Sequence, residues 1–457
     1  MKKHLFTLLI VLCLGASQLF SMTGTGSASD PYVIENETDL LTIMQTANSG
    51  TYWAAGVYIE LGTDLDMSAY NSSSTPDPTG PIGLNGNTYQ GNFNGKGHII
   101  SNLTITRTVQ FAGLFGKVEN AEIKNLKLRN VNITGRAFRG GFCGSIDGSI
   151  IYKCSVTGRT TGVNEVVGGF VGESINNSYI SNCYSQCYVE SSGYRIGGFA
   201  GLNTNSQIKD CYSSGNVKSS GNAVGGFVGR SEGTSSIISY CYSTGHAEGG
   251  QHVGGFVAEL GNGTITEYCY STGNAVSTAT SGNINVGGFC GGAWQSTIRY
   301  CYSHGNATAS SSGTNKVGGF IGANGFASPI EYCYSVGIPA GTGGTTNNVG
   351  GFVGLLYGTN TSYFSCCYWG FEGASLDDTG DDGDADPDEI QKITPEEFAD
   401  PTTFAGCFNF EDGTWMMNDG YPVLTELTIP TLTEWAVIIF VGLLAAIGGV
   451  FIWRRMA

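Results

Sequence analysis

The sequence predicts an all-β fold, a parallel β-helix (β-solenoid) of about nine rungs. Three observations point to it. A unit of roughly 28 to 34 residues recurs, a period that belongs to stacked supersecondary units rather than one closed core. Each unit carries a Gly-Gly-Phe signature and then a Cys-Tyr-Ser signature. Between the two lie short extended stretches broken by turn residues, with almost no helical period.

The first signature stands at Gly140-Gly141-Phe142 and returns with its phenylalanine at Phe170, Phe199, Phe227, Phe256, Phe289, Phe320 and Phe352. The second begins as Cys154-Ser155 and returns as Cys-Tyr from Cys183, Cys211, Cys241, Cys269, Cys301, Cys333 and Cys367. Strands this short make one rung each, so neighbouring rungs must pair in parallel. A degraded first unit, Ile123 to Arg129, reveals the inward parity. Leu126 and Leu128 alternate with Lys127 and Arg129, so the leucines face in. By transfer, the cysteines and the serines two residues on face in, and the tyrosines beside them face out. Ile208 and its equivalents stand three residues before the cysteine, the wrong parity for one flat strand, so a corner is expected between them. The paired glycines suit a bend or a close backbone approach before an inward phenylalanine.

The formal charge of −16 argues against nucleic acid, whose phosphates need a basic face. Fourteen cysteines would suggest a disulfide framework in a small secreted protein, but here most fall once per rung. Rungs about 4.8 Å apart allow either bridges in pairs or a column of buried thiols, the preferred reading. Of Cys366 and Cys367, only one is expected to join the column.

Residues 1–21 read as a secretory signal: Lys2 and Lys3, an apolar run from Leu5 to Leu14, then small residues up to Ser21. Residues 22–110 read as an N-terminal β region leading into and capping the solenoid, 111–370 as the repeats, and 371–428 as an acidic loop and closing region. Ala436 to Trp453 is uncharged and just long enough to cross a bilayer, with Arg454 and Arg455 expected on the cytoplasmic side. Immediately upstream stands Ile429-Pro430-Thr431-Leu432-Thr433-Glu434-Trp435.

The recurrent Gly-Gly-Phe-Val-Gly element, followed by a strand with Cys-Tyr-Ser, resembles the GLUG-motif repeat of bacterial surface proteins. Ala112-Gly113-Leu114-Phe115-Gly116 lies nearest the motif's name, and Gly420-Tyr421-Pro422-Val423-Leu424 resembles the family's closing strand. The resemblance implies a right-handed β-helix exported to the bacterial surface or outer envelope, and it supplies no catalytic residue. Residues 429–457, with their order of motif, apolar helix and basic tail, resemble an IPTL-type sorting signal. That implies passage through the secretion machinery, a membrane-held stage, and an exosortase-like processing enzyme as partner.

Catalysis finds little support. The histidines after the signal segment, His98, His246, His252 and His304, form no HExxH. Gly229-Arg230-Ser231-Glu232-Gly233 fits GxSxG, but a repeat turn follows it where a nucleophile elbow needs a helix. A polysaccharide lyase site would need carboxylates and a base clustered on one face. Lys209, Lys218, Arg230, Arg299 and Lys316 read as scattered along the repeats. Binding has one candidate surface, the tyrosines that flank the column cysteines: Tyr240, Tyr242, Tyr268, Tyr270, Tyr300, Tyr302, Tyr332 and Tyr334. Their stacked faces could hold sugar rings or another protein, or simply cover the sheet. No cofactor is expected. Asp382, Asp384 and Asp386 resemble a calcium loop, but Pro387 and Ile393 stand where that loop wants glycine and glutamate.

The reading is thus an exported, surface-anchored, non-catalytic β-solenoid on the order of 43 Å long, adhesin-like, contacting a glycan or an extracellular protein. The alternatives are a structural envelope component without a specific ligand and, behind it, a polysaccharide lyase-like enzyme.

Overall fold

The structure, a computed structural model, describes residues 22–425 except 71–79, 85, 107–109, 164, 326, 358–363, 372–375, 378, 381–389 and 412. The signal segment, the sorting motif and the apolar stretch after it, and Asp382, Asp384 and Asp386 lie outside the described residues. Among the described residues no helix is long and apolar enough to cross a membrane.

Each rung passes through four parallel sheets. In the unit starting at Ile196 the strands are Ile196–Gly197, Ala200–Thr204 and Gln207–Lys209, then Tyr212–Ser213 with Val217–Ser219. These define sheets one to four in that order. Each strand pairs in register with its equivalent one rung on: Ile196 with Val224, Ala200 with Val228, Ile208 with Ile238, Tyr212 with Tyr242, Val217 with Ala247. Among the described residues, sheets one and two hold nine strands each, and sheet three holds twelve.

The solenoid therefore has about eleven turns, not the nine that the signatures mark. The extra rungs come from Tyr58–Leu61, Asn92–Asn94 and Ile99–Ser101, which join the same sheets without either signature. Apolar Ile59, Phe93 and Ile100 fill their interior instead. At about 4.8 Å per turn the rod is roughly 53 Å long.

The interior is built from columns. Phe142, Phe170, Phe199, Phe227, Phe256, Phe289, Phe320 and Phe352 stack with ring centroids 4.6–4.9 Å apart. All are fully buried, and removing one such ring costs about 3–5 kcal/mol. The two signatures meet across this core: Ser213 Oγ donates to the Gly226 carbonyl at 2.6 Å, and Ser271 Oγ to Gly288 at 2.6 Å. A Cβ on Gly226 would lie 2.1 Å from the Gly255 carbonyl oxygen and 2.5 Å from Ser243 Oγ, so close approach explains that glycine.

The expected corner exists, and the residue just before Leu126 and before each of the eight column cysteines makes it. Asn125, Lys153, Asn182, Asp210, Tyr240, Tyr268, Tyr300, Tyr332 and Cys366 all have φ between 52° and 55°. This left-handed turn resets the parity, so Ile208 and Cys211 can both face in.

The column cysteines, from Cys154 to Cys367, are buried and outside any disulfide. In-register parallel strands hold successive Cβ atoms near the strand spacing of about 4.8 Å, beyond the roughly 3.5–4.5 Å a disulfide needs. Each thiol donates instead to the carbonyl two residues back, as Cys211 does to Lys209 and Cys269 to Glu267, both at 3.1 Å. Burial holds the thiols of Cys154, Cys183, Cys211, Cys269 and Cys333 well above the ordinary range.

Residues 394–425 fold back onto sheet four. Thr394 caps the short helix Pro395–Phe398 in a capping box with Glu397. An antiparallel hairpin, Trp415–Asn418 with Tyr421–Leu424, follows. Cys366, at the last corner, forms a disulfide with Cys407 and ties this segment down, while Cys367 completes the column.

Candidate functional site

Sheet four carries two tyrosine ladders. Tyr184, Tyr212, Tyr242, Tyr270, Tyr302 and Tyr334 stack with centroids 4.8–5.0 Å apart and planes within 2–9°. Tyr240, Tyr268, Tyr300 and Tyr332, at the left-handed corners, stack at 4.8 Å. In-register pairing puts identical rings one strand spacing apart, so the rings turn their faces to one another. The expected display of aromatic faces is therefore corrected: within the ladders the ring faces are taken by neighbouring rings.

A second correction concerns exposure. Tyr242, Tyr270, Tyr240, Tyr268, Tyr300 and Tyr332 are half-buried, but Tyr302 is only 4% exposed and Tyr334 is fully buried. Both lie under the C-terminal segment, among Phe398, Phe408, Trp415 and Leu424. Tyr334 Oη donates to the Pro422 carbonyl at 2.6 Å and lies 2.8 Å from His304 Nε2. Burial lowers the His304 pKa to about 4, so the imidazole is neutral and donates through Nε2 to the tyrosine. Desolvation raises Tyr270 to about 12. Where the cover ends, Tyr240, Tyr268, Thr414 and Leu424 line a small cleft of about 70 Å³.

The crease between sheets one and two gathers charged residues that read as scattered along the sequence. Arg230 Nη1 bonds Glu259 at 3.1 Å, and its Nε and Nη2 bond Glu232 at 3.0 and 2.7 Å. Glu259 also lies 3.5 Å from His252 Nδ1, which is 3.2 Å from Asn285 Nδ2. Desolvation lowers the His252 pKa, keeping the ring neutral. Trp294 sits beside His252, with ring centroids 5.8 Å apart and edge to face. Lys316 lies in the same register column as His252 and Asn285 but is only 4% exposed, its ammonium 5.3 Å from the Tyr357 ring centre. Cross-rung register does this gathering, because residues 29 to 33 apart in sequence become lateral neighbours. Arg230 and Lys316 drew notice in the sequence only as scattered charges, and nothing local in the sequence marks the cluster.

Comparison with known proteins agrees with this architecture. The GLUG motif matches residues 192–218, 220–247 and 282–308, and the IPTL-CTERM motif matches residues 429–455. Halomucin of Haloquadratum walsbyi is 34% identical over 168 residues, covering 35% of this chain and 2% of that protein. A candidate Gly-rich membrane protein of Evansella cellulosilytica is 31% identical over 151 residues, covering 33% of this chain and 15% of that protein. The chain thus spans only a small part of the curated relatives it matches. A solved structure described as a candidate immunoglobulin A1 protease from Bacteroides ovatus aligns with 88% of this chain and 94% of its own, at 16% identity and a TM-score of 0.40. With three matched repeats on a parallel solenoid and a matched C-terminal motif, the chain carries GLUG-motif repeats and an IPTL-CTERM sorting motif of the kind found in surface proteins.

Proposed function

We propose that this exported surface protein is a non-catalytic, adhesin-like solenoid that contacts a glycan or an extracellular protein. On this reading the contact surface on sheet four is the half-buried part of the ladders at the margin of the C-terminal segment, Tyr242, Tyr270, Tyr240, Tyr268, Tyr300 and Tyr332. Tyr302 and Tyr334 instead seat the C-terminal segment. The single observation that supports it is the repeated row of half-buried tyrosine rings, 4.8–4.9 Å apart, along the margin of that segment. Aromatic groups with a polar tip are enriched at contact surfaces. Passage through an exosortase-like enzyme, and the division into leader, N-terminal region, repeats, closing region and sorting signal, belong to the same proposal.

The test is a glycan-array and extracellular-matrix screen with the exported protein. Saturable binding that weakens at least tenfold in a Tyr242→Ser/Tyr270→Ser variant of unchanged circular dichroism is the expected outcome. Binding that this variant leaves intact removes the ladder from the contact surface. A structural envelope role without ligand is the second reading. It is favoured by the mutual occupation of the ring faces, and a folded protein that binds nothing on either array would select it.

A further inference from the structure

The turns that carry the chain from sheet four into sheet one hold an aromatic ring outside both ladders. Tyr194, between the strands Tyr184–Ser191 and Ile196–Gly197, is 61% exposed, the most of any large hydrophobic side chain among the described residues. It lines a cleft of about 260 Å³ together with Arg136, Glu165, Ser192 and Gly193. Register explains the grouping. Arg139, Val167, Ile196, Val224 and Val253 pair in succession, so two residues before them Ala137, Glu165, Tyr194, Asn222 and Gln251 follow one another along the axis. The row thus sets one exposed ring between a carboxylate on one neighbouring rung and a carboxamide on the other.

Both halves of the cleft are held from beneath. On the aromatic side, the Gly193 N–H donates to Ser191 Oγ at 3.0 Å and the Gly193 carbonyl accepts from Ser219 Oγ at 3.2 Å, both serines being buried. On the polar side, fully buried Arg139 donates through Nη1 to the carbonyls of Gly135 at 2.6 Å and Val163 at 3.1 Å. Those carbonyls belong to the turns that carry Arg136 and Glu165, so one guanidinium fixes both. Groups set in place before a ligand arrives lose little freedom on binding. Beyond the ring the row is ordered as well: Asn222 Nδ2 donates to Gln251 Oε1 at 3.3 Å, and the Gln251 N–H donates to Asn222 Oδ1 at 3.1 Å. The cleft lining holds one guanidinium, one carboxylate and one hydroxyl, so it offers donors and acceptors without net charge. An aromatic face with such a border matches the C–H face and hydroxyl rim of a neutral sugar ring. The volume falls below the about 300 Å³ at which pockets for drug-sized ligands begin, which suits one or two sugar units.

We propose that these turns bind a neutral oligosaccharide. Tyr194 is the platform for one sugar ring, and Arg136, Glu165 and Ser192 read its hydroxyls. Ser191, Ser219 and Arg139 are positioning residues. This rests on the binding reading above, but it names the ligand class and places the site at the edge between sheets four and one, outside the tyrosine ladders.

The experiment is calorimetry of the exported protein with cello-oligosaccharides, malto-oligosaccharides and N-acetylglucosamine oligomers, and with oligogalacturonate as the acidic comparison. The expected result is binding of at least one neutral probe, tighter than binding of the acidic one. Tyr194→Ser should weaken it at least tenfold, Glu165→Gln at least threefold, and Tyr194→Trp should keep it within threefold. Both positions are exposed on turns, and circular dichroism with thermal melting verifies that each variant folds. Neutral-saccharide binding that survives Tyr194→Ser overturns the proposal, as does a preference for oligogalacturonate. Binding lost in Tyr242→Ser/Tyr270→Ser but kept in Tyr194→Ser also overturns it and leaves the ladder reading standing. No neutral saccharide bound by folded protein overturns it too, while retention of an extracellular protein would keep the broader adhesin reading. If Tyr194→Ser abolishes that retention, the turns are a protein contact and the saccharide assignment falls.

Discussion

At the residue scale, the corner before each cysteine sets the cross-section. Nine non-glycine residues hold φ near 53° there, a conformation that costs an ordinary side chain about 1 kcal/mol and asparagine less. Asn125 and Asn182 are the comfortable occupants; Tyr240, Tyr268, Tyr300 and Tyr332 accept the strain, and their ladder stacking offsets it. Asn182→Ala should therefore lower stability by about 1 kcal/mol, and Asn182→Gly by less than about 0.5 kcal/mol. Urea unfolding monitored by circular dichroism measures both, and equal losses would remove the conformational explanation. The need for a corner was legible, because Ile208 and Cys211 both had to point inward. Which residue turns was not legible, since tyrosine is a poor sequence signal for a left-handed backbone.

At the element scale, the C-terminal segment is the part of the closing region that changes the surface. It buries Tyr302, Tyr334 and Tyr368 with Phe398, Phe404, Phe408 and Trp415, and the Cys366–Cys407 disulfide holds it. His304 makes its docking depend on pH. Its folded pKa is about 4, below the ordinary value near 6.5, so below pH 6.5 the undocked state takes up a proton that the docked state does not. Docking is thus firmest above about pH 6.5 and weakens as pH falls toward 4, by up to about 3 kcal/mol. Trp415 fluorescence followed from pH 7.5 to 4 should report the loosening, and His304→Gln should flatten the profile. A curve identical in the variant would assign the transition to other groups. The hairpin was legible as a closing strand, but its seat on the tyrosine ladder was not, because nothing local in residues 415–424 specifies a partner about a hundred residues away.

At the scale of the whole molecule, each turn touches mainly its two neighbours, so stability adds along the axis. Deleting residues 197–224 joins Ile196 to Gly225, which already occupy successive places in the register. The shortened protein should fold, unfold cooperatively and lose about 5 Å of length by small-angle scattering. Collapse of the whole array would show instead that the turns are not interchangeable. Leu424 sits beside Tyr240 and Tyr268, part-way along the stack and a few residues before the sorting motif. The last described residues, 421–425, therefore lie against the flank of the solenoid rather than at an end.

The sequence by itself determined the all-β parallel stack, the inward cysteines, serines and phenylalanines, and the outward tyrosines. Period and alternation act through the backbone of a single rung, so they can be read from a single rung. Only the tertiary structure decided that there are about eleven turns, that Tyr302 and Tyr334 lie beneath a distant segment, and that Arg230, Glu259, His252 and Trp294 share one crease. The physical reason is that alternation sets which way a side chain points from its own strand. What it meets there is set by register with strands a full turn away and by whichever remote segment finds the surface energetically worth covering.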